Sequence, residues 1–162
     1  MNFDCKNTII QHELFKICCK EIEKDEKNRV FCRHNINHFI DVARLMMILN
    51  VKENLNIDEN LIYATALLHD IGRHLQYRKG IGHEISSAQI APLILAECEF
   101  TREEENKIIE AILKHRDVKT SKEQNLNGLL YRADKMSRAC YCCNAEPICN
   151  WPKEKKNLKL EY

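Results

Sequence analysis

Glycine and proline are scarce in this 162-residue chain, which carries four of the first and three of the second. Sheet architectures need turn residues at short intervals, so the shortage argues against a sandwich or barrel. Runs rich in Leu, Ile, Glu, Lys and Ala point instead to an all-helical domain. An excess of charge is missing too: 25 Lys and Arg meet 24 Asp and Glu, a net charge of +1. That balance provides no broad field for nucleic acid or a membrane surface, so any basic site must be local. No apolar stretch is long enough to span a bilayer, and Met1-Asn2-Phe3-Asp4-Cys5-Lys6 lacks the apolar centre of a signal peptide. The expected setting is cytoplasmic, where nine cysteines read as thiols or metal ligands rather than a disulfide framework.

What the chain does contain is Leu61-Ile-Tyr-Ala-Thr-Ala-Leu-Leu-His69-Asp70-Ile-Gly72, apolar on every side of a helical period until it reaches His69 and Asp70. Asp58 stands where it can cap this helix, with Ile57 and Ile62 at the positions of a hydrophobic staple. A buried imidazole and carboxylate need partners. Neighbours on a helix splay about 100° apart, so the two can share one cation only if the helix end adjusts. Gly72 reads as that end.

Other stretches deliver further polar groups to apolar stripes. Residues 8–24 form an amphipathic first helix (Ile9, Leu14, Ile17, Ile22), with His12 read as a surface histidine. A second helix is expected from about His34 to Leu49, with His38, Val42, Leu45 and Leu49 on one face. On pattern alone His38 is a hydrogen-bonded core histidine or a ligand, and His34, one turn earlier, could chelate with it. Residues 73–82 read as a basic, glycine-containing loop at the border of the site, with Arg73, Arg78 and Lys79 available to phosphate oxygens. His83 and Glu84 open a helix that Pro92 is expected to kink. Thr101 and Glu104 form a capping box, behind which Ile108, Ala111, Ile112 and His115 fall on one face, with Arg116 at its edge. In the last helix Asp134 follows Leu130 by one turn, an acid at the border of an apolar stripe.

The order His38, His69-Asp70, His83, His115, Asp134 resembles the metal-ligand order of the HD superfamily of metal-dependent phosphohydrolases, over residues 30–138. His38-Phe-Ile-Asp-Val42-Ala43 is similar to the setting of that family's first ligand, which makes His34 a candidate to support the ligands or to face the substrate. The resemblance implies two metals, the first on His38, His69, Asp70 and Asp134 and the second on His83 and His115, with Asp70 as the bridge. It implies Asp70, His69, His83 and His115 as the catalytic centre, and cleavage of a phosphoester or phosphoanhydride of a nucleotide by a metal-bound hydroxide. Imidazoles and carboxylates suit one or two ions of Fe, Mn, Ni, Co or Zn better than magnesium alone. Arg73, Arg116, Lys135 and Arg138 are candidates for the substrate phosphates. His83-Glu84, His115-Arg116 and Ala133-Asp134-Lys135 look closest to bacterial hydrolases of symmetrical dinucleoside tetraphosphates, a likeness that departs at Ser137-Arg138 and the cysteine-rich end. The competing reading is a metal-containing nucleotide- or redox-sensing module without turnover.

Cys140, Cys142, Cys143 and Cys149 crowd into ten residues. They are read either as ligands of structural zinc or an iron–sulfur cluster, or as small apolar fillers and exposed thiols. Cys5, Cys18, Cys19, Cys32 and Cys98 read as scattered thiols. The expectation is a single helical bundle over 1–138, a cysteine-rich segment with a charged tail over 139–162, and a nucleotide as partner, with no nucleic acid or membrane. A homodimer is compatible with the sequence.

Overall fold

Eight α-helices and four short 3₁₀ turns, without a strand, make up the regular structure of the described residues, 4–161 of the computed structural model. The reading of Met1-Asn2-Phe3 as no leader lies outside them. Among the described residues no helix is long and apolar enough to cross a membrane.

The first amphipathic stretch is two helices, α1 (Cys5–Gln11) and α2 (Glu13–Asp25). His12 makes the break: it leaves the helical conformation and its Nδ1 accepts from Leu14 N at 3.1 Å, capping α2. It is therefore no surface histidine. Its side chain is 13% exposed and its Nε2 lies 3.4 Å from Glu97. The next helix, α3 (Ile36–Lys52), starts two residues later than expected because Asn35 caps it, accepting from His38 N at 3.2 Å. The central helix α4 (Glu59–Leu68) opens on Asp58, whose carboxylate accepts from Asn60 N at 2.8 Å.

Residues 73–79, expected as a loop, are a helix, α5 (Arg73–Lys79). Gly80 at φ 69° closes it in the left-handed conformation, its N–H returning to Gln76 O at 3.0 Å. Arg78 ties α5 to α2 through Glu21 and Asp25. Helix α6 (His83–Leu95) runs through Pro92 to finish a turn later. Helix α7 (Arg102–Lys114) has the expected capping box, and α8 (Leu126–Met136) begins on Asn125.

Helix α4 is buried on all sides from Ala64 to Leu68 because it lies between α3, α1 and α7. Leu67 and Leu68 join one apolar cluster with Phe15, Phe39, Ile94 and Ile112, while Ile62 and Ala66 join another with Val42, Met46, Leu129 and Leu130. Each fully buried Leu or Ile contributes about 1.5–3 kcal/mol, so this helix is held rigidly and His69 and Asp70, just past its end, inherit its position.

Gly72 has a second role. Its φ of −88° suits any residue, but an added Cβ would stand 2.4 Å from Ser87 N and 2.6 Å from Ser86 C. The glycine permits α6 to touch the chain here, sealed by Gly72 N donating to Ser87 Oγ at 2.9 Å and Ser86 Oγ donating to Gly72 O at 3.0 Å. His83, at the start of α6, is thereby brought over Asp70.

Beyond α8 the chain forms 3₁₀ turns at Cys140–Cys142, Glu146–Ile148 and Lys153–Lys155. Ala145 is the one buried hydrophobic residue of this segment among those described. Asn157 Nδ2 fastens it by donating to Lys135 O at 2.7 Å and Arg138 O at 2.9 Å.

Candidate metal centre

The six predicted ligands come together. His69 and Asp70 leave the end of α4, His38 projects from α3, His83 from the start of α6, His115 from the end of α7 and Asp134 from α8. They form two triads whose donor atoms lie within 4.8 Å of one another: His38, His69 and Asp134, and Asp70, His83 and His115. Asp70 stands between them. Its Oδ2 is 3.5 Å from His69 Nε2 and 3.8 Å from His38 Nε2, while its Oδ1 is 3.2 Å from His83 Nε2 and 3.5 Å from His115 Nε2. Asp134 Oδ1 completes the first triad, 3.6 Å from His38 Nε2 and 3.7 Å from His69 Nε2.

The far side of each ring fixes which nitrogen is free. His69 Nδ1 donates to Ala66 O at 2.7 Å, His115 Nδ1 to Ile112 O at 2.7 Å, and His83 Nδ1 to Gln76 Oε1. Ser137 gives its proton to Asp134 O at 2.7 Å, so its oxygen can accept from His38 Nδ1 at 3.4 Å. With Nδ1 protonated, a neutral imidazole aims a bare lone pair from Nε2. His83 Nε2 and His115 Nε2 then face each other across 3.1 Å, lone pair to lone pair. His38 Nε2, His69 Nε2 and Asp70 Oδ1 are buried without a hydrogen-bond partner. Orphaned donors of this kind, all on inward atoms, are what a divalent transition metal satisfies.

Electrostatics agree for His38 and His83, whereas His69 is raised above its ordinary value, burial opposing and Asp70 and Asp134 favouring its proton while no ion is bound. Burial pulls His38 down to about 4 and His83 down to about 3, keeping both rings in the neutral form a metal requires. Burial would lift the carboxyls of Asp70 and Asp134, yet Arg73 and His69 hold Asp70 well below the usual range, and His69 with Lys135 does the same for Asp134.

A second layer braces the centre. His34 is buried and lines the cavity, its Nε2 3.8 Å from Asp70 Oδ2 and its Nδ1 donating to Glu26 Oε1 at 2.6 Å, and it belongs to neither triad. Glu26 also accepts from His34 N and from Tyr77 Oη, each at 2.6 Å. Burial opposes its charge, and the bonds from His34 and Tyr77 bring the carboxyl down to about 2. Glu26 and Gln76 were hidden in polar stretches, where nothing distinguishes a buried acid or amide from a solvated one.

A cavity of about 600 Å³ opens onto His38, Asp70, His83, His115 and Asp134. The predicted cations Arg73, Arg116, Lys135 and Arg138 all line it, joined by Arg29, Arg33 and Lys156, which sequence reasoning missed. Arg29 and Arg33, just ahead of the first ligand helix, offered the one positional signal. Arg73 Nε is buried without a hydrogen bond, 3.5 Å from Asp70 Oδ2. Lys135 Nζ lies 2.6 Å from Asp134 Oδ2, Arg116 pairs with Glu84 at 3.1 Å, and the Arg138 guanidinium stacks 4.4 Å over Trp151. Arg78 and Lys79 do not line this cavity: Arg78 is held by α2, because α5 turns that side of the helix away. Cys140, Cys142, Cys143 and Cys149 all line the cavity but are not gathered like the two triads. Among the described residues no cysteine joins a group of three donors within 4.8 Å, since the four are spread over two turns of backbone.

Comparison with known proteins agrees with this geometry. An uncharacterised protein of Clostridium beijerinckii is 45% identical over 156 residues, covering 96% of this chain and 98% of its own length. The crystal structure of a predicted HD superfamily hydrolase from an uncultured Thermotogales bacterium shares the fold, with a TM-score of 0.64 at 21% identity over 90% of this chain and 80% of that one. The HD domain family model matches residues 35–139, a span that holds all six ligand-type residues, and the chain therefore belongs to the HD domain family.

Proposed function

We propose that this chain is a metal-dependent phosphohydrolase that cleaves a phosphoester or phosphoanhydride of a nucleotide in the cytoplasm. The observation that carries the proposal is the pair of donor triads joined through the two oxygens of Asp70. His38, His69 and Asp134 would hold one ion of Fe, Mn, Ni, Co or Zn, His83 and His115 a second, and Asp70 both. Such ions supply Lewis acidity to phosphoryl oxygens and make water nucleophilic near neutral pH. The residues around them do the rest. Carbonyl oxygens of Ala66 and Ile112 and the amide of Gln76 keep the imidazoles in the ligating tautomer. Glu26 holds the ring of His34, whose Nε2 stands 3.8 Å from Asp70 Oδ2. Arg73, which has an unspent donor, supplies positive charge beside the reacting phosphate, and Arg116, Lys135 and Arg138 meet phosphates farther along the cavity.

Cations on several walls of one cavity favour a substrate with more than one phosphate, and symmetrical dinucleoside tetraphosphates are the first compounds to try. The test is a panel of nucleoside mono-, di- and triphosphates and dinucleoside polyphosphates, with release of phosphate or nucleoside phosphate as the readout. Activity that a chelator removes and added metal restores is the expected result. Tight binding without release, changing with thiol oxidation, would favour a sensor that does not turn over, the reading that the cysteines on the cavity wall support.

A further inference from the structure

The two triads leave one set of reactive side chains unused, the thiols that line the same cavity. Cys32, Cys140, Cys143 and Cys149 all line it, and all are free. They come from three pieces of backbone: Cys32 from the connection between α2 and α3, Cys140 and Cys143 from the first 3₁₀ turn and its end, and Cys149 from the end of the second. Side chains three apart on a 3₁₀ turn eclipse one another, which sets Cys140 and Cys143 on one side. The thiols are close enough to feel each other. Partial enclosure raises the Cys32 thiol, and the neighbouring Cys140 and Cys143 push it the same way while Arg138 opposes them. Lys156, held by Glu146, lies in the field of Cys149 and Cys140. Cys142 differs, donating its S–H to Ala139 O within its own turn at 3.6 Å.

The geometry points to an iron–sulfur cluster held by the thiolates of Cys32, Cys140, Cys143 and Cys149, in the cavity onto which the histidine–aspartate centre opens. Size argues for a cluster over a single ion. Sulfurs sharing one zinc at about 2.3 Å stand no more than about 4.6 Å apart, whereas no three of these thiols lie within 4.8 Å of one another. A cluster attaches its cysteines to different irons and so takes thiols that line one cavity without meeting at one point. Charge argues the same way, because Arg138 and Lys156 stand where the negative charge of a thiolate-bound cluster would be offset. So does order: residues 139–161 hold their shape with a single buried hydrophobic residue, Ala145, and a metal centre supplies the folding energy that an apolar core does not. On ligation the four thiols release their protons to solvent, and iron and inorganic sulfide enter with the cluster. Cys32 would then clamp the C-terminal segment to the connection that carries His34. This site stands independently of the reaction catalysed at the triads.

The experiment is anaerobic purification of the full chain, with assay of iron, acid-labile sulfide and visible absorbance, in wild type and in C32S and C142S. Sulfide distinguishes the cluster from iron at the triads. Wild type and C142S are expected to contain iron and sulfide, with charge-transfer absorbance. C32S, a change at an exposed residue, is expected to lose the sulfide while retaining metal at the triads and native helicity by circular dichroism. C140S serves as a second ligand variant with the same expected loss. Sulfide absent from wild type after reconstitution with iron and sulfide, zinc in its place, or sulfide unchanged in both C32S and C140S would each overturn the assignment.

Discussion

Asp70 and His83 face each other at 3.2 Å, carboxylate Oδ1 to imidazole Nε2, while the other oxygen of Asp70 points to His69 at 3.5 Å. One side chain thus serves both halves of the centre. Removing its charge with Asp70→Asn is expected to release metal from both triads and to lower activity by well over about 100-fold, beyond what loss of a supporting residue costs. Metal content and turnover measured on the same sample check it; full retention of both would mean that Asp70 is no ligand.

Gln76 makes a subtler prediction. Its Oε1 accepts from both the ring and the backbone of His83, so Gln76→Leu leaves His83 in place but frees its tautomer. Metal affinity is expected to fall about 10- to 100-fold, with the fold intact. A calorimetric metal titration reads this directly, and Gln76→Glu, which keeps an acceptor, is expected to lose much less.

Packing at Gly72 is tested by Gly72→Ala. The new methyl meets backbone atoms of Ser86 and Ser87 that cannot step aside, and a cost of about 1–3 kcal/mol or more is expected. The urea midpoint should drop at unchanged slope. An unaltered midpoint would show that α6 is free to move away from the end of α4.

These positions also show what sequence can and cannot convey. The six ligand-type residues were legible because each is a His or Asp that continues or ends an apolar stripe, and such a residue must find a partner. The break at His12 was not, since no glycine or proline marks it and a histidine cap looks like any polar helix residue. Helix α5 was hidden by its basic sequence, its one clear signal being Gly80 at the cap. Gly72 was recognised as special but for the wrong reason: close approach to α6, not an adjustable end, requires it. Cys32 is far in sequence from the cysteine-rich end, so only the fold could bring it there.

Acid should destabilise the metal-free protein. Burial depresses His38 to about 4 and His83 to about 3 from an ordinary 6.5, so below the ordinary value the unfolded chain takes up protons that the folded one refuses. His69 acts in the opposite sense. Burial would lower it, but Asp70 and Asp134 raise it, and its contribution is full below the unfolded value and lost as pH climbs through the folded one. If the contributions of His38 and His83 dominate, the melting temperature of chelated protein falls between about pH 7 and about pH 5, and His69→Gln, which removes the opposing group, is expected to steepen that fall. A flat or rising profile would contradict this balance.

The most direct test of the centre is a count of manganese bound to chelated protein, because Mn²⁺ prefers these imidazole and carboxylate donors to thiols. Wild type is expected to bind about two ions per chain, and His83→Ala/His115→Ala about one. A single ion in wild type, unchanged in the double variant, would contradict a centre built on both oxygens of Asp70.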